Sequence, residues 1–205
     1  MLANDELKEL CGLQVIDDFY ADPIQARSLA LSLPWPDSNA KQAFAGRQTV
    51  QSIAFRPIID KISGLVGSKI SVDTENNLFG QFRVATKNCL GETKVHFDSV
   101  PWSLVVYLSQ VEKPLEGTSF YRHRRTGLLN PHAVDLGTDD VVSEIIRPDT
   151  HNLSAWEKVA SVPYKFNRAL LFRGDSIFHA GGPAFGVDLE SGRMTQHFFF
   201  DVEAS

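Results

Sequence analysis

His96-Phe97-Asp98 opens a pattern that is completed far downstream by His179, in Phe178-His179-Ala180, and by Arg193-Met194-Thr195. On a β-strand the side chains at i and i+2 project to the same face, so His96 and Asp98 can reach one ion while Phe97 packs behind them. His179 then has to arrive from a different strand. Two imidazoles and one carboxylate are the ligand set of non-haem Fe(II) centres, and three protein ligands leave octahedral positions open for O2 and a small molecule. His96, Asp98 and His179 are therefore the candidate metal ligands and the candidate catalytic residues.

A lone HxD arises often by coincidence, and a histidine on an apolar strand is commonly a hydrogen-bonded core residue. The order of the surroundings gives this one weight. Before it come Gly80-Gln81-Phe82-Arg83-Val84 and a turn from Asn88 to Gly91; after it come an apolar run, Gly117-Thr118-Ser119-Phe120, a second apolar run, His179 and the Arg-x-Thr element. From Leu78 onward the pattern is one of short β-like runs divided by turn residues: 78–85, 93–98, 102–109, 118–123, 141–147, 168–173, 176–180 and 194–202. Eight such runs with few helices among them predict a mainly β fold with flanking helices, a jelly roll or cupin-like double-stranded β-helix with an open mouth for a ligand.

Arg193 fits a role in that mouth. A guanidinium offers a planar fork that matches a carboxylate bidentately and stays charged in a narrow barrel, whereas lysine keeps the charge and loses the fork. Arg193, Thr195 and His197 share strand parity, so all three should look into the barrel and Gln196 should point away from it.

The N-terminal third reads differently. Leu13 to Phe19 is an opening strand; Asp22 caps a helix that starts at Pro23 and ends near Leu33. A second helix runs from Pro57 to about Val66, with Ile58, Ile59, Ile62 and Leu65 on one face and Gly67 as its stop. These elements are expected to decorate the core, about 1–77 around a jelly roll of about 78–202, within a single catalytic domain of 205 residues.

The formal charge of −5 and pI near 5.7 argue against nucleic acid as a partner, since phosphate contacts need clustered Lys and Arg. No apolar stretch is long enough to span a membrane, and no basic segment leads into an apolar run near the N-terminus. Cys11 and Cys89 have no metal-site spacing and make a poor disulfide framework, which favours a reducing, cytoplasmic setting.

Taken together, Val15 to Phe200 resembles the 2-oxoglutarate and Fe(II)-dependent oxygenase superfamily, whose members share a double-stranded β-helix, an HxD...H triad and a basic residue on a late strand. Gly117 to Arg124 and Asn167 to Phe172 resemble a bacterial subgroup of its prolyl-hydroxylase-like branch, largely without assigned substrates. The resemblance implies Fe(II), 2-oxoglutarate and O2 as cofactor and co-substrates. It implies that 2-oxoglutarate chelates the metal while Arg193 and Thr195, with Tyr107 as a further candidate, hold its distal carboxylate. Release of succinate and CO2 would accompany hydroxylation of a small or carrier-bound amino-acid-like substrate. Because Asp98 occupies the position that halogenases of the superfamily leave without a carboxylate, halogenation is disfavoured.

Substrate contacts are expected from Gln81 and Arg83, which share a face of a pocket-lining strand, from His197, and from Arg122 at the head of the basic run Arg122 to Arg125. The bland readings are a surface ion pair for Gln81 and Arg83 and a solvated face for the basic run. Eighty residues separate Asp98 from His179, more than is common in the resembling family, and the excess between Arg122 and Pro163 suggests a lid. Two other functional classes fit a jelly roll. A cupin-like metal enzyme that does not use 2-oxoglutarate is opposed by Arg193-Met194-Thr195, and a non-catalytic binding protein is opposed by the intact triad.

Overall fold

The computed structural model describes residues 2–36, 45–73, 78–89, 94–132 and 141–203. Among them are the α-helices α1 (Asn4–Cys11), α2 (Pro23–Ser32) and α3 (Arg56–Val66). The strands are β1 (Gln14–Ile16), β2 (Arg47–Gln48), β3 (Ile70–Ser71), β4 (Phe79–Ala85), β5 (Trp102–Tyr107), β6 (Leu115–His123), β7 (Trp156–Tyr164), β8 (Ala169–Arg173), β9 (His179–Ala180) and β10 (Arg193–Val202). α2 starts as its sequence predicts: the Asp22 carboxylate accepts from the Gln25 N–H at 2.9 Å and Pro23 occupies the first turn. α3 stops at Gly67, which takes the left-handed conformation that glycine adopts without a Cβ penalty.

The larger sheet runs β1-β8-β5-β10-β4-β2, with β3 paired to the far end of β10, and the smaller runs β7-β6-β9. Every pairing is antiparallel. The two sheets face each other over Tyr107, Phe120, Val162, Tyr164, Leu170 and Phe172, which makes the fold a double-stranded β-helix. On the other face of the larger sheet, Phe82, Leu104, Val106, Leu171, Met194 and Phe198 pack with Ala30 of α2 and Ile62 of α3. That sheet is buried on both sides, which is why β5 and β8 read as unbroken apolar runs rather than as alternating ones.

The N-terminal segment does more than decorate, because β1, β2 and β3 each add a strand to the larger sheet. α1, absent from the sequence reading, inserts Leu7 and Cys11, one turn apart, into the core between the sheets. Asn167 bends the chain with a positive φ, and its side chain brackets Tyr20, accepting from the Tyr20 N–H at 2.8 Å and donating to its carbonyl at 2.9 Å.

Three expectations need correction. Residues 94–98 are not a full strand: they join the smaller sheet through one bridge, His96 to His179, and residue 93 lies outside the described residues. Residues 141–147 are helical, a π-helical Val141–Ile146 leading into a 3-10 turn Arg147–Asp149. Their β-branched residues favour a strand, but Val142 and Ile146, four apart, bury together against Trp156 and Phe178, and packing overrides propensity. The missed strand is β7, whose alternation is broken where the adjacent Val159 and Ala160 are both buried, beside a register shift in its pairing with β6.

The described part of the supposed lid is accordingly a packed cover on the outer face of the smaller sheet. His123 Nε2 lies 3.1 Å from Asp149 Oδ2, and the Trp156 indole donates to the Asp149 carbonyl at 2.8 Å, pinning the cover in place. Residues 133–140 lie outside the described part, as do residues 37–44 and Leu90 and Gly91 of the turn before His96.

Candidate metal centre

His96 and His179 lie directly opposite each other and exchange both backbone hydrogen bonds, at 3.0 and 2.8 Å. Directly opposed residues of an antiparallel pair project to the same face. Their imidazole centroids are 4.4 Å apart. Asp98, two residues beyond His96, is anchored by its N–H on the Gly174 carbonyl at 2.9 Å. One donor atom from each of the three falls within 4.8 Å of the others, and among the described residues no other group of His, Cys, Asp and Glu does so.

The ring orientations are set by the backbone. His96 Nδ1 contacts the Lys94 carbonyl at 2.9 Å and His179 Nδ1 contacts the Ile177 carbonyl at 3.0 Å. A carbonyl can only accept, so each Nδ1 carries the proton and each Nε2 is left to serve as a ligand, the usual orientation of metal-binding histidines. The two Nε2 atoms stand 3.5 and 3.4 Å from Asp98 Oδ1 and Oδ2. The Ser103 hydroxyl donates to Asp98 Oδ2. A Cβ at Gly174 would collide with that carboxylate oxygen and with Ser103 Oγ, so only glycine lets the chain pass here.

The charges of the triad are strongly coupled. Burial alone would raise the Asp98 carboxyl, but the neighbouring His179 charge, with both imidazoles close by, outweighs it and holds it well below the usual range. Burial, with His179 beside it, lowers His96; burial also acts to lower His179, but Asp98 prevails and raises it. One carboxylate and two imidazole Nε2 atoms are thus turned toward one another, and this donor set fits Fe(II) with positions left open.

A cavity of about 210 Å³ opens from the triad toward Arg193, with Val105, Phe172 and Phe199 among its apolar walls. The Arg193 guanidinium lies over the rings of Tyr164 and Tyr107, at 5.5 and 5.8 Å, and a Cβ at Gly181 would sit 3.3 Å from its Nη2. The two tyrosines are stacked on each other at 4.3 Å. Their hydroxyls are engaged elsewhere: Tyr107 with Thr118 at 2.8 Å, and Tyr164 with the Ser109 N–H at 2.8 Å and the Met194 carbonyl at 2.5 Å.

The structure brings His96, Asp98, His179, Arg193, Arg83 and His197 to this one cavity. Thr195 and Gln81 do not line the cavity: Thr195 is fully buried with Oγ1 2.8 Å from His197 Nε2, and Gln81 is buried opposite His197 on β4. Tyr107 does not line the cavity; it lies beneath Arg193 as part of the tyrosine platform. Gln196 turns away as its parity predicts, but into protein rather than solvent, bonded to Tyr20, Ile53 and Gly80. Arg122 is the misplaced candidate. It pairs with Glu157 at 3.3 Å across β6 and β7 and does not line the cavity, while Arg124 donates to the Trp156 carbonyl, so the basic run is no rim.

Sequence reasoning missed Ser103, Gly174 and Tyr164. Nothing local marks Gly174 as a glycine that must clear a side chain 76 positions away. Ser103 carried a usable signal, since it shares cavity-facing parity with Val105 on β5.

Residues 92–200 match the model of a family of unknown function, DUF6445. No curated protein matches the chain. Among solved structures the chain is similar to HygX from Streptomyces hygroscopicus with nickel and 2-oxoglutarate bound, at 14% identity and a TM-score of 0.57, covering 97% of this chain and 87% of that one. The form with nickel, 2-oxoglutarate and hygromycin B is similar at 13% identity and a TM-score of 0.54, with the same coverage. At these identities the likeness bears on the fold, which is the double-stranded β-helix described above.

Proposed function

The chain belongs to the DUF6445 family, and we propose that it is an Fe(II)- and 2-oxoglutarate-dependent oxygenase, a hydroxylase acting on a small or carrier-bound amino-acid-like substrate. The observation that carries this reading is the pairing of a His-Asp-His triad with a half-buried guanidinium inside one cavity of a double-stranded β-helix. Support comes also from HygX, a structure of similar fold that holds nickel and 2-oxoglutarate.

Bound iron, with 2-oxoglutarate and O2, supplies an oxidant able to attack a C–H bond while succinate and CO2 are released. The protein's part is binding, orientation and exclusion of water. His96, Asp98 and His179 would hold the metal. Arg193 presents its fork to the C5 carboxylate of 2-oxoglutarate, kept in place by the stacked tyrosines below it. Thr195, on the same face of β10 as Arg193, is the further candidate hydroxyl for that carboxylate. Val105, Phe172 and Phe199 keep the space between metal and fork largely dry, which strengthens both interactions.

Anaerobic titration of the protein with Fe(II), with and without 2-oxoglutarate, tests this. A visible charge-transfer band that requires both components, vanishes in His179→Ala and demands much more 2-oxoglutarate in Arg193→Ala is the expected result. Iron binding without such a band would remove 2-oxoglutarate from the reading and favour a cupin-like enzyme that acts directly on its substrate.

A further inference from the structure

β4 and β10 run antiparallel with Gln81 opposite His197, Arg83 opposite Thr195 and Ala85 opposite Arg193. Arg83, Ala85, Arg193 and His197 of this patch line the cavity. Three of its polar atoms, Gln81 Oε1, His197 Nδ1 and Arg193 Nε, are buried with no hydrogen-bond partner among the described residues. Such atoms are costly to leave unpaired and native structures tolerate few of them, so three on one patch of two adjoining strands mark a surface completed by a ligand.

The co-substrate accounts for only part of this patch. In the reading above, 2-oxoglutarate occupies the metal and Arg193, and its two carboxylates balance the charges of Fe(II), Asp98 and Arg193. Arg83 also lines the cavity, and that reading gives it no contact with the co-substrate. Arg83 donates to Gln48 Oε1 at 2.6 Å. Burial, and then the charge of Arg193, pull its pKa down to about 10. His197 is held neutral by burial and by Arg83 and Arg193, so it acts as a hydrogen-bonding group. Its Nε2 is engaged with Thr195 and its Nδ1 is the atom left over.

We propose that Arg83, with His197 Nδ1 beside it, forms a second anion seat in the cavity, and that this seat takes a carboxylate or phosphate of the substrate. The proposal rests on the assignment of Arg193 to 2-oxoglutarate. It makes an anionic group on the substrate a condition of productive binding. Gln81 Oε1, next to His197, would accept a hydrogen bond from a donor on the same molecule.

The test uses the anaerobic Fe(II)- and 2-oxoglutarate-loaded protein, titrated with acetate, methyl phosphate and neutral acetamide, followed by calorimetry and by the visible band. At least one anion should bind at a single site without releasing 2-oxoglutarate, and acetamide should not. Arg83→Gln should weaken that anion about tenfold or more while leaving the band intact, and Arg83→Lys should retain part of the affinity. Acetate or methyl phosphate, whichever binds, identifies the group. Failure of both anions to bind, displacement of 2-oxoglutarate by the anion, or equal binding to Arg83→Gln would each overturn the proposal. Absence of the band before any anion is added would instead defeat the co-substrate reading, and the calorimetric titration would still report on the Arg83 seat.

Discussion

The two ends of the cavity are built on opposite terms. At the triad, the atoms that do not face the metal position are already engaged: both Nδ1 atoms lie on backbone carbonyls, and Asp98 is held by Ser103. At the β4 and β10 end, Gln81 Oε1, His197 Nδ1 and Arg193 Nε are buried and have no partner among the described residues. A site whose ligands must hold a fixed geometry gains from having every other hydrogen bond made in advance. A site that must recognise a molecule leaves its donors and acceptors for that molecule, at a standing cost in stability. The same strand, β10, carries its satisfied face toward the helices and its unsatisfied one into the cavity.

The largest effect should come from disturbing the preorganised end without touching a ligand. In Gly174→Ala the added methyl must displace the Asp98 carboxylate or Ser103, and Fe(II) affinity should fall by about 10- to 100-fold, the cost typical of lost support around a metal. Unchanged Fe(II) binding in an anaerobic titration would show that the triad is not held as rigidly as this comparison requires. Next comes the recognition end. Arg193→Lys preserves charge but loses the fork, and the apparent affinity for 2-oxoglutarate should drop about tenfold while Fe(II) affinity is unaffected. Parallel losses of both would mean that the two ends do not work independently.

The smallest effect belongs to a satisfied pair away from the cavity. Asp17 accepts from Arg168 at 2.6 Å and from Lys165 at 2.8 Å, tying the turn after β1 to the start of β8. The Arg168 hydrogen bond first, and then that from Lys165, hold its carboxyl far below the usual range. A carboxyl depressed on folding contributes stability that is present above its unfolded pKa, near 4, and is lost as pH falls through the folded value. With the side chain 37% exposed, solvent screening keeps the contribution below about 1 kcal/mol. Asp17→Asn should therefore lower the unfolding midpoint only slightly at neutral pH, and the gap to the parent protein should close as the solution is acidified. Calorimetry at several pH values checks both statements.

The sequence by itself determined the features that depend on residue type and short spacing. HxD at i and i+2 placed two ligands on one face, Asp22-Pro23 and Gly67 set the ends of helices, and the parity of β10 sent Arg193, Thr195 and His197 one way and Gln196 the other. What only the tertiary structure decided are the meetings between distant segments. His96 finds His179 through a single bridge rather than a strand, Gly174 makes room for Asp98, and the β-branched run at 141–146 coils because Val142 and Ile146 find Trp156 and Phe178. Arg122, the head of a basic run, faces Glu157, while Arg83 lines the cavity. Periodicity records which way a side chain points relative to its own backbone. It carries no record of what stands on the other side, and in a sheet buried on both faces the wall of a cavity and the wall of a core are written in the same pattern.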